Sequence, residues 1–406
     1  MRRQVVILTT GQPSTNPRMV KEYQALKEAG YSVKVYYSYW HHWAIEPDKE
    51  FFTHPGIDKQ DFEMVGGSPF ENKMAYTISK IKQKLNQFIY FKTGMQRDAA
   101  KSRTTSLLIA AAKNYKADLY IAHNAGALPA AVQGAVKHRA KAGFDAEDLH
   151  RGEFKNKQSK HCRHLVAVED TYLPRCHFVT VASPLIGASY KKLYPMRDFV
   201  TINNVFSKKY LQKPKKTEDG QLSLFWFSQT IGPHRGLSSV VRALNLLKPD
   251  CNVHLYLLGN IAHGYDKKLL KLSHRKNVHF LPPVQPNEMF AIAAKYDIGL
   301  SIEVPDFENR NVCLTNKIFT YLLAGNCILF SDTDAQIDFL QTYPGAGFIF
   351  ETGNEYKLAE AIENLYYNRE QLNIVKQYVA NLSSTKLNWE NESPKLVALV
   401  NRVLQN

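Results

Sequence analysis

Short apolar, β-branched runs recur along this chain, and between them lie stretches whose apolar residues fall at helical spacing. No other feature limits the fold as much. VVILTT (5–10) reads as a buried strand, GQPSTNP (11–17) as a turn, RMVKEYQALKEAG (18–30) as a helix stopped by Gly30, and YSVKVYY (31–37) as the next strand. Such a unit joins parallel strands, so a sheet covered by helices on both faces is expected. Residues 40–100 interrupt the pattern with aromatic and basic residues. It resumes with a helix at 104–115, a strand at 117–122, a loop and helix at 123–138, a short strand with its acidic exit loop at 141–148, a helix at 161–173, and strands at 177–183 and 199–205. Residues 208–221 are charged, contain proline and glycine, lack periodicity and read as a linker. Behind them strands fit at 222–227, 253–258, 297–302, 327–330 and 347–350, and residues 389–406 read as one amphipathic helix. A chain of 406 residues exceeds one ordinary core, so two consecutive α/β domains are expected.

The formal charge of +15 predicts attraction to something anionic: nucleic acid, a phosphorylated substrate or an acidic membrane face. No nucleic-acid motif accompanies it, so no nucleic-acid partner is expected. The first apolar run is too short for a signal peptide, and no stretch nears the roughly 20 apolar residues of a membrane span. The expected location is cytoplasmic, with peripheral attachment to the inner membrane face as an option. Five scattered cysteines without a CxxC spacing read as reduced thiols and argue against structural zinc. From Lys73 to Arg103 there are eight basic residues and one acid, Asp98, with Leu85, Phe88, Ile89 and Phe91 interleaved. Three readings fit: a solvated helix face over a core stripe, an interfacial helix resting on anionic lipid, or, ranked last, a nucleic-acid-binding segment.

The segment Leu222–Leu237, LSLFWFSQTIGPHRGL, joins an apolar strand ending at Phe227 to a turn with Gly232 and Pro233. Arg235-Gly236 then opens a helix. Unpaired N–H groups, the helix dipole and a nearby cation make an anion site, and a diphosphate suits it. A strand-to-helix turn with a solvated Arg235 is the plainer alternative. The first strand is followed by GQPSTN and lacks GxGxxG, which disfavours an NAD enzyme.

Taken in order, PSTNPRMVKEYQALKEAGYSVKVY, ADLYIAHNAGALPAA, FDAED, VTINNVF, LPPVQPNEMFAIAAKYDIGLSI and LTNKIFTYLLAGNCILFSDT resemble the GT-B glycosyltransferases, and within them the retaining family 4 (glycosyltransferase group 1). The resemblance covers nearly the whole chain. It implies an α/β GT-B fold with two facing Rossmann-like domains: an acceptor-binding domain at 1–205, a nucleotide-sugar-binding domain at 206–385, and a C-terminal helix at 386–406 crossing back to the first. It also implies transfer of a sugar from a nucleotide-diphosphate donor to a glycan or lipid-linked acceptor, with retention, in cell-surface polysaccharide or lipopolysaccharide synthesis. A non-catalytic GT-B glycan-binding or partner-support protein and a GT-B sugar-nucleotide epimerase are the alternatives.

Glycosyl transfer builds positive charge on the sugar ring and negative charge on the leaving diphosphate, so cations and donors must meet the latter. Arg235 stands where the family has a cation before Gly, and its fork suits phosphate. Gln229 stands where a second cation is usual. Asn316 and Lys317 match the family's NK pair, with an N-cap and a solvated first-turn lysine as plainer roles. Counting back from Ala324-Gly325 puts Val312 and Thr320 at the family's E-x7-E carboxylates, a departure that leaves Glu303 or Glu308 as replacements. His123 matches the family's His near donor sugar and acceptor. Gly11 and Gly232 are assigned to the donor. Asn16, Arg18, Asp145 and Glu147 are assigned to the acceptor, although Glu147 replaces the usual His. The expected catalytic set is His123, Arg235, Lys317 and Glu303, with donor contacts also from Thr320 and Glu308. Asp332-Thr333-Asp334 could hold a divalent metal, but capping of a helix around 336–340 is the stronger reading, so no metal or other cofactor is expected.

Overall fold

Strand β1 (Gln4–Thr9) forms because QVVILT has β-branched residues buried on both faces, as a central parallel strand requires. The computed structural model describes residues 2–217, 220–274 and 276–405. It divides into two compact units, one holding the chain up to Ile202 together with the segment from Ser393, the other running Asn203–Glu392.

In the first unit β1 is joined by β2 (Ser32–Tyr37), β3 (Phe62–Met64), β4 (Leu119–His123), β5 (Lys141–Ala146), β6 (Phe178–Val181) and β7 (Phe199–Thr201). Their order is β3-β2-β1-β4-β5-β6-β7, parallel throughout the described residues. The order reverses between β1 and β4, and ligands of open α/β sheets lie beyond the carboxyl ends at such a point. The helix Pro17–Glu28 is capped by the Asn16 side chain on the Met19 amide and buries Met19, Tyr23 and Leu26. The Tyr31 hydroxyl donates to Asn401, which fastens the end of the helix Trp389–Gln405 within this unit. Asn406, the end of the expected last helix, lies outside the described residues.

The second unit contains β8 (Leu222–Ile231), β9 (Val253–Ile261), β10 (Val278–Leu281), β11 (Ile298–Ser301), β12 (Cys327–Ser331) and β13 (Gly347–Phe350). They are ordered β10-β9-β8-β11-β12-β13, again parallel, with the reversal between β8 and β11. Each sheet thus has one strand more than expected. β3 and β10 are short edge strands, and three or four half-buried residues leave little periodicity.

Three local readings change. β8 does not stop at Phe227: a bulge between Phe227 and Thr230 lets it pair with β9 as far as Ile231. Residues 208–217 are not a free linker. The Gln212 amide donates to Leu323, Thr217 is held by Asn373 and Asp297, and the Lys376 ammonium reaches both Thr217 (3.1 Å) and Asp297 (3.4 Å). Glu218 and Asp219, also in the expected linker, lie outside the described residues. Finally, Leu85 and Phe88 do not form a core stripe; both stand exposed on the helix Lys73–Thr93.

Candidate functional site

In the second unit the carboxyl ends of β8, β11 and β12 converge on the start of the helix Asn316–Ala324. This helix is anchored by Tyr321, whose ring packs so closely on Gly299 of β11 that a Cβ there would lie 2.3 Å from Cγ. The Tyr321 hydroxyl donates toward the carbonyls of Phe225 (3.2 Å) and Leu300 (3.3 Å) on the neighbouring strands β8 and β11. One turn earlier, the Lys317 ammonium meets the Glu303 carboxylate at 2.7 Å, with both side chains largely buried. It also lies 6.0 Å from the centre of the Trp226 ring. The Trp226 indole N–H on β8 and the hydroxyls of Ser301 at the end of β11, of Thr315 just before this helix and of Thr333 just after β12 are buried without a hydrogen-bond partner. Unsatisfied buried donors are costly, and several at the strand ends of one sheet mark a place built for a polar ligand.

Arg235 lies in the turn that follows β8. The chain takes left-handed conformations at His234 (φ 61°) and Gly236 (φ 74°), and a Cβ on Gly236 would lie 2.6 Å from Ile302 Cγ2. Only glycine satisfies both demands, and the result seats the turn against the exit of β11, next to Glu303. The half-buried Arg235 forms no ion pair among the described residues. A free guanidinium, a lysine and a helix N-terminus can together receive an anion.

The other donor-side residues fall out differently. Gln229 is exposed within β8 rather than in a loop, because of the bulge. Gly232 is buried in the turn. Asn316 is the first helical residue, Thr315 being the cap, and its carbonyl side chain accepts from Asn204 at 2.8 Å. The Thr320 hydroxyl turns back to the Asn316 carbonyl at 3.0 Å, and Val312 is buried, so neither replaces a carboxylate. Of the two candidates, Glu303 lies at the site, whereas Glu308 is exposed at the start of the short helix Glu308–Val312. Thr333 is the N-cap residue of the helix Asp334–Thr342, which covers the expected 336–340, but its side chain makes no capping bond. Asp332 accepts from the Thr352 amide, while Asn311 bonds both the Asp334 carboxylate and its amide. Among the described residues no group of three or more His, Cys, Asp or Glu is placed to hold a metal.

In the first unit, His123 ends β4 and is 1% exposed, so it is no open loop residue. Its Nε2 lies 2.6 Å from Glu22 and its Nδ1 3.3 Å from Asp145. Arg18 grips both oxygens of Asp145, at 2.7 and 2.8 Å, and donates to the Ile202 carbonyl. Burial alone would lower the His123 pKa, but Glu22 and Asp145 outweigh it and push it up to about 10. Burial likewise opposes ionisation of Asp145, but Arg18 and His123 hold it well below the usual carboxylate range. Glu147, half-buried two residues past Asp145, is pushed up to about 7 by burial and the neighbouring Asp148. Asn16 is spent on its cap, and the Gly11 amide donates to the Thr9 hydroxyl at 3.1 Å, leaving neither side chain nor amide open. Sequence reasoning missed Glu22. Arg18 and Glu22, opposite charges four apart beside Met19 and Tyr23, were the available signal.

No protein-family model and no curated protein matches this sequence. Solved structures do match along the whole chain. Anabaena HepE, in complex with UDP and glucose, shares 14% identity at a TM-score of 0.69, covering 99% of this chain and 100% of that one. Sucrose-phosphate synthase from Thermosynechococcus elongatus shares 11% at 0.71 over 100% of both chains. WaaG, a glycosyltransferase involved in lipopolysaccharide biosynthesis, shares 14% at 0.64, over 97% of this chain and 99% of that one. The chain has the GT-B fold. Within that fold, the Arg235 turn and the Asn316-Lys317 helix start stand at carboxyl ends of the second sheet, and the His123 cluster at those of the first.

Proposed function

We propose that this GT-B chain is a glycosyltransferase that moves a sugar from a nucleotide-diphosphate donor to a glycan or lipid-linked acceptor in cell-surface polysaccharide synthesis. The observation that carries the reading is the second-unit site: Lys317 paired with Glu303, the unpaired Arg235, and buried unsatisfied donors on β8, at the end of β11 and just before two helices of the same unit. HepE, which holds UDP or UDP-glucose, and WaaG, a lipopolysaccharide enzyme, support the donor class and the setting.

In this reading Arg235, Lys317 and the helix N-terminus neutralise the diphosphate as the bond from the anomeric carbon to the phosphate oxygen breaks. Glu303 supplies the carboxylate that Val312 and Thr320 lack and faces the positive charge growing on the sugar. The acceptor oxygen bonds the anomeric carbon on the face the diphosphate leaves, which retains configuration, and its proton passes to the leaving phosphate oxygen. No metal takes part. Glu147, with a pKa near neutrality, meets the acceptor hydroxyl. The buried His123 and Arg18 act as positioning residues that hold Asp145 in place within the first unit. A lipid-linked acceptor sets the protein to work at an anionic membrane surface; among the described residues no helix is long and apolar enough to cross a membrane.

A melting-point screen with UDP, GDP and their sugars tests the donor site, since a ligand of the folded state raises the midpoint. At least one should raise it, and Arg235→Ala should remove the response. No response to any of them refutes the assignment. The missing carboxylates at Val312 and Thr320 favour a second reading, a non-catalytic binding protein. It predicts the same melting response with neither transfer to an acceptor nor donor hydrolysis.

A further inference from the structure

The helix Lys73–Thr93 is turned inside out. Its polar side faces the first unit: Ser79 is buried and accepts from Arg103 at 3.2 Å, Gln87 donates to the Ala100 carbonyl, and Tyr90 packs edge-on against His164. Its apolar side faces away. Met74, Ile78, Ile81, Leu85 and Phe88 are between 45% and 74% exposed. At about 100° per residue these five fall within an arc of about 80°, a continuous stripe about 20 Å long. A soluble helix buries its apolar stripe, so this arrangement is the reverse of what water selects. Isolated exposed apolar residues need no explanation, whereas a contiguous stripe marks an interaction surface.

The rim of the stripe identifies the partner. The 21 residues of the helix include five lysines and no acid. On the same angular count Lys82 flanks one side of the stripe and Lys73, Lys80 and Lys84 the other. At its amino end, Phe70 stacks on His42 at 5.0 Å, and the adjoining loop exposes Trp40 and Trp43. Tryptophans are favoured at the boundary between lipid headgroups and water. A second copy of this chain would set lysine rims against lysine rims, which disfavours self-association.

We infer that the face formed by the helix Lys73–Thr93 and the Trp40–Trp43 loop docks flat on a bilayer bearing anionic lipid, with the stripe in the acyl boundary and the lysines on the headgroups. Such docking would keep a lipid-linked acceptor within reach. That purpose rests on the glycosyltransferase reading, while vesicle binding itself does not.

The test is co-sedimentation of the full chain with vesicles of phosphatidylcholine mixed with phosphatidylglycerol, and with phosphatidylcholine alone, at low and high salt. The protein should sediment with the mixed vesicles at low salt and be released by high salt. Lys80/Lys82/Lys84→Gln should weaken binding about a hundredfold, from about tenfold for roughly each 1.4 kcal/mol and about one kcal/mol per lysine. Ile81→Glu/Leu85→Glu should weaken it about tenfold or more. These side chains are exposed, so both variants should keep the wild-type melting point, which separates lost docking from lost folding. Wild-type protein left in the supernatant at low salt, or variants that bind as tightly as wild type, would overturn the inference. So would a dimer dissolved by Ile81→Glu/Leu85→Glu in a protein that ignores vesicles. Vesicle binding without any response to UDP or GDP would defeat the donor reading alone, and the opposite result the docking face alone.

Discussion

Replacing His123 with Gln tests whether the buried cluster in the first unit is held by an imidazolium. Glu22 and Asp145 carry two negative charges, and Arg18 and His123 balance them only while the ring holds its second proton. A His whose folded pKa is raised contributes stability that is complete below its unfolded value, near 6.5, and fades as the pH rises through about 10. At about 1.4 kcal/mol per pH unit, that interval caps the contribution at about 5 kcal/mol, close to the 3–5 kcal/mol cost of stripping one partner from a buried ion pair, roughly. From pH 6.5 to 9 the contribution should shrink by about 3 kcal/mol. His123→Gln should therefore lower the melting point of the first unit by roughly 6–20 °C at pH 6.5, taking about 2–4 °C per kcal/mol. At pH 9 most of that deficit should be gone. His150, raised to about 9 through Glu153 against the effect of burial, titrates in both proteins and cancels in the difference. Calorimetry of both proteins across this range decides the matter. A deficit that is the same at pH 6.5 and 9 would refute the charged ring.

Lys317→Ala leaves Glu303 unpaired and turned on the diphosphate, so affinity for the responding nucleotide should fall about ten- to a hundredfold by calorimetric titration, in line with about 1.5–3 kcal/mol for a charged hydrogen bond. Gly299→Ala pushes a methyl into the Tyr321 ring and should cost about 1–3 kcal/mol in denaturant unfolding of the second unit. In Asp297, burial favours the neutral form, but bonds from Ser223 and Thr217 and the charge of Lys376 outweigh it and lower the pKa. Its contribution is then present above the ordinary value near 3.8 and lost as the pH falls below it, so Asp297→Asn should lower the melting point at neutral pH and by less in acid. If the proposed transfer is measurable, a chelator should leave its rate unchanged.

The strands that form the two sheets' interiors were legible because central parallel strands are apolar on both faces, as in VVILTT and LSLFWF. Edge strands β3 and β10 were not, since so few half-buried residues carry no period. The extension of β8 was hidden for another reason: Ser228 and Gln229 look like a turn, and only pairing with β9 across a bulge makes them strand. At the site, Arg235 and Lys317 could be picked out locally, because a cation next to a helix start is a local pattern. The choice of Glu303 over Glu308 could not, as it depends on which carboxylate meets Lys317 across the β11 exit. The burial of His123 was equally invisible, because its partners Glu22 and Asp145 lie far from it in sequence. Composition alone could not tell the outward stripe of the helix Lys73–Thr93 from a core-facing one; only its polar contacts to the first unit decide the direction.

Tyr321 stitches two adjacent strands to the helix that presents Lys317, and it does so through main-chain carbonyls that no side-chain exchange can remove. The helix that carries Lys317 is therefore fixed when the domain folds, before any ligand arrives, and Glu303 holds its ammonium. An incoming anion meets a lysine whose backbone is already in place, so little of the binding free energy goes into ordering the receptor.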